Sequence, residues 1–252
     1  MDESLGFARL SELIDERSAA FRAAVASAPS LDVTVPTCPE WTLLDLVRHI
    51  GEGRRRWAAT VAAGPADAPA ARSTWQQDPP REREALLEWL AEGTRQLLDA
   101  LREAGPDRGC WTWWGASQSP RTTGAVARHQ LQEIAVHTYD AQLAAGAPEP
   151  LPEVVAFDGV DEFLVTCCAT TSPWPHEPAV VDYHATEGRS WRLLLSADGA
   201  LVTDVGTDAA DASARGPASD VVLFLYGRIP ADSLELDGDR RLFDWLAAWE
   251  PA

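Results

Sequence analysis

The segment His129-Gln-Leu-Gln-Glu133-Ile-Ala-Val-His137-Thr-Tyr-Asp140 sets ligating side chains at i, i+4 and i+8. On a helix these fall along one face, beside Val126 and Ala144. Glu133 and His137 offer an oxygen and a nitrogen one turn apart, the arrangement with which a helix chelates zinc. Such a pair is a weak signal by itself, because i, i+4 ion pairs are common on solvated helices. A third ligand from another helix would change the reading. His49 is the candidate, placed mid-helix on the shoulder of an apolar stripe next to Leu46 and Gly53. The commoner use of such a residue is as a hydrogen-bonded histidine at the edge of a core. Ligands of type His, Glu and His would leave zinc an open fourth position, which is the catalytic rather than the structural geometry.

Several neighbours of these residues carry two readings each. Asp140 follows His137 by three and either orients that ligand or is a solvated carboxylate at a helix end. His129 lies one turn before Glu133 and is a possible substitute ligand. Arg54-Arg55-Arg56 offers charge for a carboxylate or a sugar, although such runs are more often solvated helix faces with paired acids. Trp111, Trp113 and Trp114 either wall a substrate pocket or cap a bundle. Cys38, in a Thr-Cys-Pro turn, is read as a small buried hydrophobe before it is read as a thiol at the site. His176 and His184 lack partners at ligand spacing and read as structural.

These side chains need helices to position them. Leu10, Leu13, Ile14, Phe21 and Val25 form one amphipathic face over residues 5–28. Thr42 with Asp45 is a capping-box start, followed by Leu43, Leu46, Val47, Ile50 and Trp57 to about Ala63. A third helix is expected near Glu82–Ala104 and a fourth from Thr122 to Ala145, stopped by Gly146 and Pro148. Four such helices make a bundle. A helix near Pro152–Ala169 follows, then alternating segments at Val180–Ala185, Trp191–Ser196 and Leu201–Val205 with Gly-containing turns. Further short elements are expected at Ala212–Arg215, Ser219–Gly227, Leu234–Leu236 and Arg240–Trp249. The expected fold is α+β, a four-helix bundle over 1–148 and a small α+β domain over 149–252.

Composition narrows the function. The chain has 252 residues, 46% of them hydrophobic and 24% charged, which suits a globular protein able to bury its own core. A net charge of −18 argues against nucleic acid or an anionic membrane as partner. All 21 basic residues are arginine, so lysine Schiff-base chemistry and a P-loop are excluded. The four cysteines, Cys38, Cys110, Cys167 and Cys168, show no zinc-knuckle spacing, and the N-terminus lacks the features of a signal peptide. No run is long and apolar enough for a membrane span, and a reducing cytoplasm is the expected location.

The segment Val35-Pro-Thr-Cys-Pro-Glu-Trp-Thr42, leading into Leu46-Val-Arg-His49-Ile-Gly51, resembles the entry to the metal-bearing helix of mycothiol-dependent maleylpyruvate isomerases. Glu133-Ile-Ala-Val-His137-Thr-Tyr-Asp140 resembles that family's second metal segment. The wider likeness is to DinB-like, or YfiT-like, metal-binding four-helix bundles. Gly216-Pro-Ala-Ser-Asp220 and Tyr226-Gly-Arg228 resemble parts of the family's sterol-carrier-like C-terminal domain.

The resemblance implies a divalent metal, such as zinc, on His49, Glu133 and His137, with the thiol of mycothiol completing the site. It also implies an arginine from the C-terminal domain that meets an anionic substrate; Arg228 is the choice and Arg215 the reserve. The implied activity is cis–trans isomerisation of a dicarboxylic keto acid by addition and loss of the thiol. A mycothiol S-transferase acting on an electrophile would use the same residues. A binding protein of the same fold without turnover is the third reading, disfavoured because all three ligand types are present.

Overall fold

The computed structural model describes residues 5–250. The chain divides into two compact units. One holds the chain as far as Trp113 together with Arg121–Leu151; the other holds Trp114–Pro120 and the chain from Pro152 onward. The architecture is mixed helix and sheet, as the sequence patterns predict.

The first unit is a bundle of α1 (Phe7–Ser27), α2 (Leu43–Ala63), α3 (Arg83–Ala104) and α4 (Thr123–Ala145). α1 packs along α4, and α2 along α3. The stripe residues Leu13, Ile14, Phe21, Leu46, Val47, Leu86, Leu97, Leu131 and Ile134 are buried. Each side chain of this kind contributes roughly 1.5–3 kcal/mol on leaving water, so the periodic stripes specify the bundle. Helix ends are closed by side chains as well as by turns. Arg83 Nη1 donates to the carbonyls of Val25, Ala26 and Ala28 at the end of α1. These are among the acceptors that a helix terminus leaves without partners. Gly51 leaves room on α2 for a side chain of α3, since a Cβ there would fall 1.8 Å from the Trp89 ring.

A small hairpin precedes α2, built from β1 (Thr34–Val35) and β2 (Cys38–Thr42). Pro36 and Pro39 obscure it in the sequence, where they read only as an interruption of helix. Its last residue, Thr42, is the N-cap of α2. Thr42 Oγ1 accepts from the Asp45 backbone N–H at 3.2 Å, and Asp45 Oδ2 accepts from the Thr42 backbone N–H at 3.0 Å. The Thr42 hydroxyl also donates to Asp45 Oδ2 at 2.6 Å, and this bond, with that from the Thr42 N–H, holds the Asp45 carboxyl below its ordinary range.

The second unit begins with α5 (Glu153–Phe163), which runs into a wider π-helical turn at Leu164–Cys168. A single helix to Ala169 is therefore corrected: after Phe163 the winding changes, and the Ala169 N–H bonds the carbonyl of Leu164. The sheet comprises β3 (Ala179–Ala185), β4 (Ser190–Ser196), β5 (Gly199–Thr203), β6 (Ala212–Gly216) and β7 (Glu235–Gly238). Its order is β5-β4-β3-β6-β7, with β3 and β6 parallel and the other pairs antiparallel. α6 (Ala218–Leu225) packs on β3, β6 and α5, and α7 (Arg241–Ala248) is the last helix. Within the short segment Trp114–Pro120, Gln118 Oε1 accepts from Val202 N–H at 2.6 Å, tying the loop to β5. No helix of the described residues is long and apolar enough to cross a membrane.

Candidate metal centre

α2 and α4 bring the three expected ligands together. One ligand atom from each of His49, Glu133 and His137 lies within 4.8 Å of the others. His49 Nε2 is 2.7 Å from Glu133 Oε1, and His137 Nε2 is 3.6 Å from the same oxygen. The two imidazoles meet edge to face, with centroids 5.0 Å apart. Exposure grades across the group, with side chains 40% exposed at His49, 28% at Glu133 and 9% at His137. The cluster therefore has a closed side and an open side.

The closed side is built by residues that fix His137. Asp140, fully buried, lies with Oδ2 2.7 Å from His137 Nδ1. Its other oxygen accepts from the Thr37 hydroxyl at 2.6 Å. A carboxylate oxygen at Nδ1 favours the tautomer with hydrogen there, which leaves the Nε2 lone pair facing Glu133. Of the two readings of Asp140, the solvated helix end is thereby excluded. Thr37 went unnoticed in the sequence because it lies 103 residues away and depends on the hairpin to reach α4. Trp41, from the same hairpin, covers both imidazoles, with ring centroids 5.0 Å from His49 and 6.4 Å from His137.

Electrostatics suit a cationic occupant. Burial would push the Glu133 carboxyl up, but the hydrogen bond from His49 and the fields of His137, His49 and His129 outweigh it. The net result is a carboxylate held far below its usual range, and hence ionised at neutral pH. Two imidazole nitrogens and one ionised carboxylate form a donor set that suits zinc or a comparable divalent ion.

The remaining candidates separate. His129 lies between Trp57 and Trp113, with ring centroids at 6.3 and 5.6 Å, and lines a cavity of about 160 Å³ that also reaches His49 and Glu133. The three consecutive arginines do not form a common solvated face: Arg54 and Arg55 are buried and Arg56 is exposed. The tryptophan run also divides. Trp111 lies tilted against Trp57, Trp113 is half-exposed, and Trp114 is buried with its Nε1–H on the Pro120 carbonyl. Cys38 sits in β2, half-buried and in no disulfide.

In the second unit Arg228 is half-buried just past the end of α6, where its Nη1 donates to the Tyr226 carbonyl at 2.7 Å. Arg215 lies exposed on β6, 3.9 Å from Glu235 of the neighbouring strand. His176 stacks on Trp245, and His184 Nδ1 lies 2.8 Å from the Ser190 hydroxyl, so both have structural contacts.

Known proteins share this fold. Residues 11–142 match the family described as the mycothiol maleylpyruvate isomerase N-terminal domain, and residues 154–244 match the corresponding C-terminal domain. A solved mycothiol-dependent maleylpyruvate isomerase superposes with a TM-score of 0.59 at 13% identity, covering 92% of this chain and 93% of that one. A histidine-to-alanine mutant of such an enzyme gives 0.55 at 15% identity, with the same coverage. At these identities the likeness to the solved structures is one of fold. No curated protein matches in sequence. The two domain matches together take in most of the sequence, and the chain belongs to the mycothiol-dependent maleylpyruvate isomerase family.

Proposed function

We propose that this protein is a mycothiol-dependent isomerase of a dicarboxylic keto acid, using one divalent metal ion, zinc for preference, on His49, Glu133 and His137. The observation that carries the reading is the convergence of those three side chains, with His137 locked from behind by Asp140 and Thr37. When bound, the metal would act as a Lewis acid that lowers the pKa of a coordinating thiol into the neutral range. The other contributions belong to the chain itself. Glu133, ionised, balances the charge of the site. Asp140 keeps a lone pair on His137 Nε2 directed at it. Trp41 excludes water from the side of the two imidazoles.

The nucleophile in this reading comes from outside the chain. Burial pushes the Cys110 thiol to about 11 and the Cys168 thiol to about 12, so neither supplies a thiolate at neutral pH. None of the four cysteines is in a disulfide, which suits a reducing compartment such as the cytoplasm. Arg228 is assigned to a substrate carboxylate on family likeness, and its guanidinium geometry suits bidentate recognition. In the same reading the bundle, residues 1–148, is of the DinB-like type and residues 149–252 of the sterol-carrier-like type.

The test is direct. Zinc-loaded protein is mixed with mycothiol and maleylpyruvate, and the cis isomer is followed by absorbance. The reading expects catalytic conversion to the trans isomer that requires both thiol and metal, and an Arg228→Met variant with strongly raised KM and unchanged metal content. A stable thiol adduct found by mass spectrometry with other electrophiles, and no isomerisation, would move the protein to the S-transferase reading. No turnover with either would leave a binding protein.

A further inference from the structure

The arginine run on α2 is spent unevenly. Arg55 is fully engaged: its guanidinium lies 4.1 Å from the Trp89 ring centre and donates to Gln77 Oε1, the Gly51 carbonyl and the Trp89 carbonyl. Arg54 is 1% exposed, and its Nη1 donates to the carbonyl and side-chain oxygens of Gln130 at 3.1 and 2.7 Å. Its Nε and Nη2 are buried without an acceptor. Burial lowers this guanidinium to about 10, opposed by the nearby Glu133 charge, so it remains a cation at neutral pH. Arg56 is exposed, 5.9 Å from the Trp111 ring centre. Neither Arg54 nor Arg56 forms an ion pair among the described residues, in a chain with 39 acidic residues to 21 arginines.

Both arginines line the cavity of about 160 Å³ that touches His49 and Glu133, and His129 lines it too. Glu133 is the single acid in that lining, and its Oε1 is taken up by His49. A cationic recess beside a ligand carboxylate, in a strongly acidic protein, concentrates small anions that the rest of the surface repels. Unused N–H donors on a buried guanidinium are costly until an acceptor arrives, and a carboxylate offers paired oxygens to fill them.

We propose that this cavity is a substrate subsite in which Arg54 and Arg56 hold one carboxylate, with the His129 ring as its wall. The inference rests on the isomerase reading and deepens it, by placing one charged end of the substrate within the bundle.

The experiment titrates maleate, a stable cis dicarboxylate, into zinc-loaded protein by calorimetry at low salt, with its neutral dimethyl ester as control. Maleate should bind the wild type and the ester should not. Arg54→Met and Arg56→Met should each weaken maleate at least about tenfold, and His129→Asn less, with zinc content unchanged. Circular dichroism checks each fold; if Arg54→Met fails to fold, the surface variant Arg56→Met decides. Equal maleate affinity in wild type and the folded arginine variants would overturn the subsite. So would the lack of maleate binding to wild type up to about 10 mM, a concentration at which even weak sites fill. A wild-type protein that takes up no metal would instead sink the isomerase reading. The same titrations on that metal-free protein would still decide the subsite.

Discussion

Two of the buried arginines of this protein, Arg54 in the first unit and Arg192 in the second, are treated in opposite ways. Arg192 on β4 faces Asp182 on β3 with two parallel bonds of 2.7 Å, and adds a third to the Asp208 carbonyl at 2.8 Å. Asp182 and Arg192 are directly opposite each other in the ladder, so the sheet register itself makes the pair. Arg54 has Gln130 and no carboxylate, and keeps two buried donors unused. A buried cation whose hydrogen bonds are complete belongs to the fold. One left incomplete beside a ligand cluster marks a place where structure has been given over to binding.

That contrast is open to breakage. The largest effect expected is from Asp182→Ala, which strands the Arg192 charge inside the sheet. It should cause the greatest loss in denaturant midpoint of these variants while the bundle still binds metal; a near-neutral result would make the two arginines alike. Next comes Asp140→Ala, which releases His137 and should weaken metal affinity about 10- to 100-fold by competition with a chelator. Arg54→Met should change stability by no more than about 1–2 kcal/mol, because losing the Gln130 bonds is offset by removing buried donors without partners. A large destabilisation there would show Arg54 to be as structural as Arg192.

The smallest effect belongs to Asp45→Asn, about 1 kcal/mol or less at neutral pH. The sign follows from the depressed carboxyl of Asp45. Its contribution is complete above the unfolded carboxylate range and is lost as pH falls through the lower folded value. The gap between wild type and Asp45→Asn in thermal melts should therefore narrow steadily as pH falls below the ordinary carboxylate range.

Much of this was readable in the sequence wherever the cause is local. The helix stripes follow a period of 3.6, the Thr42–Asp45 box spans three residues, and Glu133 and His137 sit one turn apart. His49, 84 residues from Glu133, was a candidate third ligand from its place on a helix, and the family likeness joined it to the pair. What escaped depends on tertiary structure. The hairpin at 34–42 holds too few residues for alternation to show, and two prolines interrupt it. Thr37 becomes a partner of Asp140 only once that hairpin has formed. The different fates of Arg54, Arg55 and Arg56 follow from the 100° step between successive helix positions against a packed neighbour, which the run of identical letters conceals.

The central claim is that three side chains share one metal ion. It is tested most directly by elemental analysis of protein purified without added metal, for wild type and for His49→Ala, Glu133→Ala and His137→Ala. The account predicts one equivalent of a divalent ion, zinc foremost, in the wild type and less than about 0.1 equivalent in each folded variant, since loss of one of three protein ligands collapses the affinity. A wild type that stays metal-free after incubation with zinc, or variants that keep the full equivalent, would contradict it.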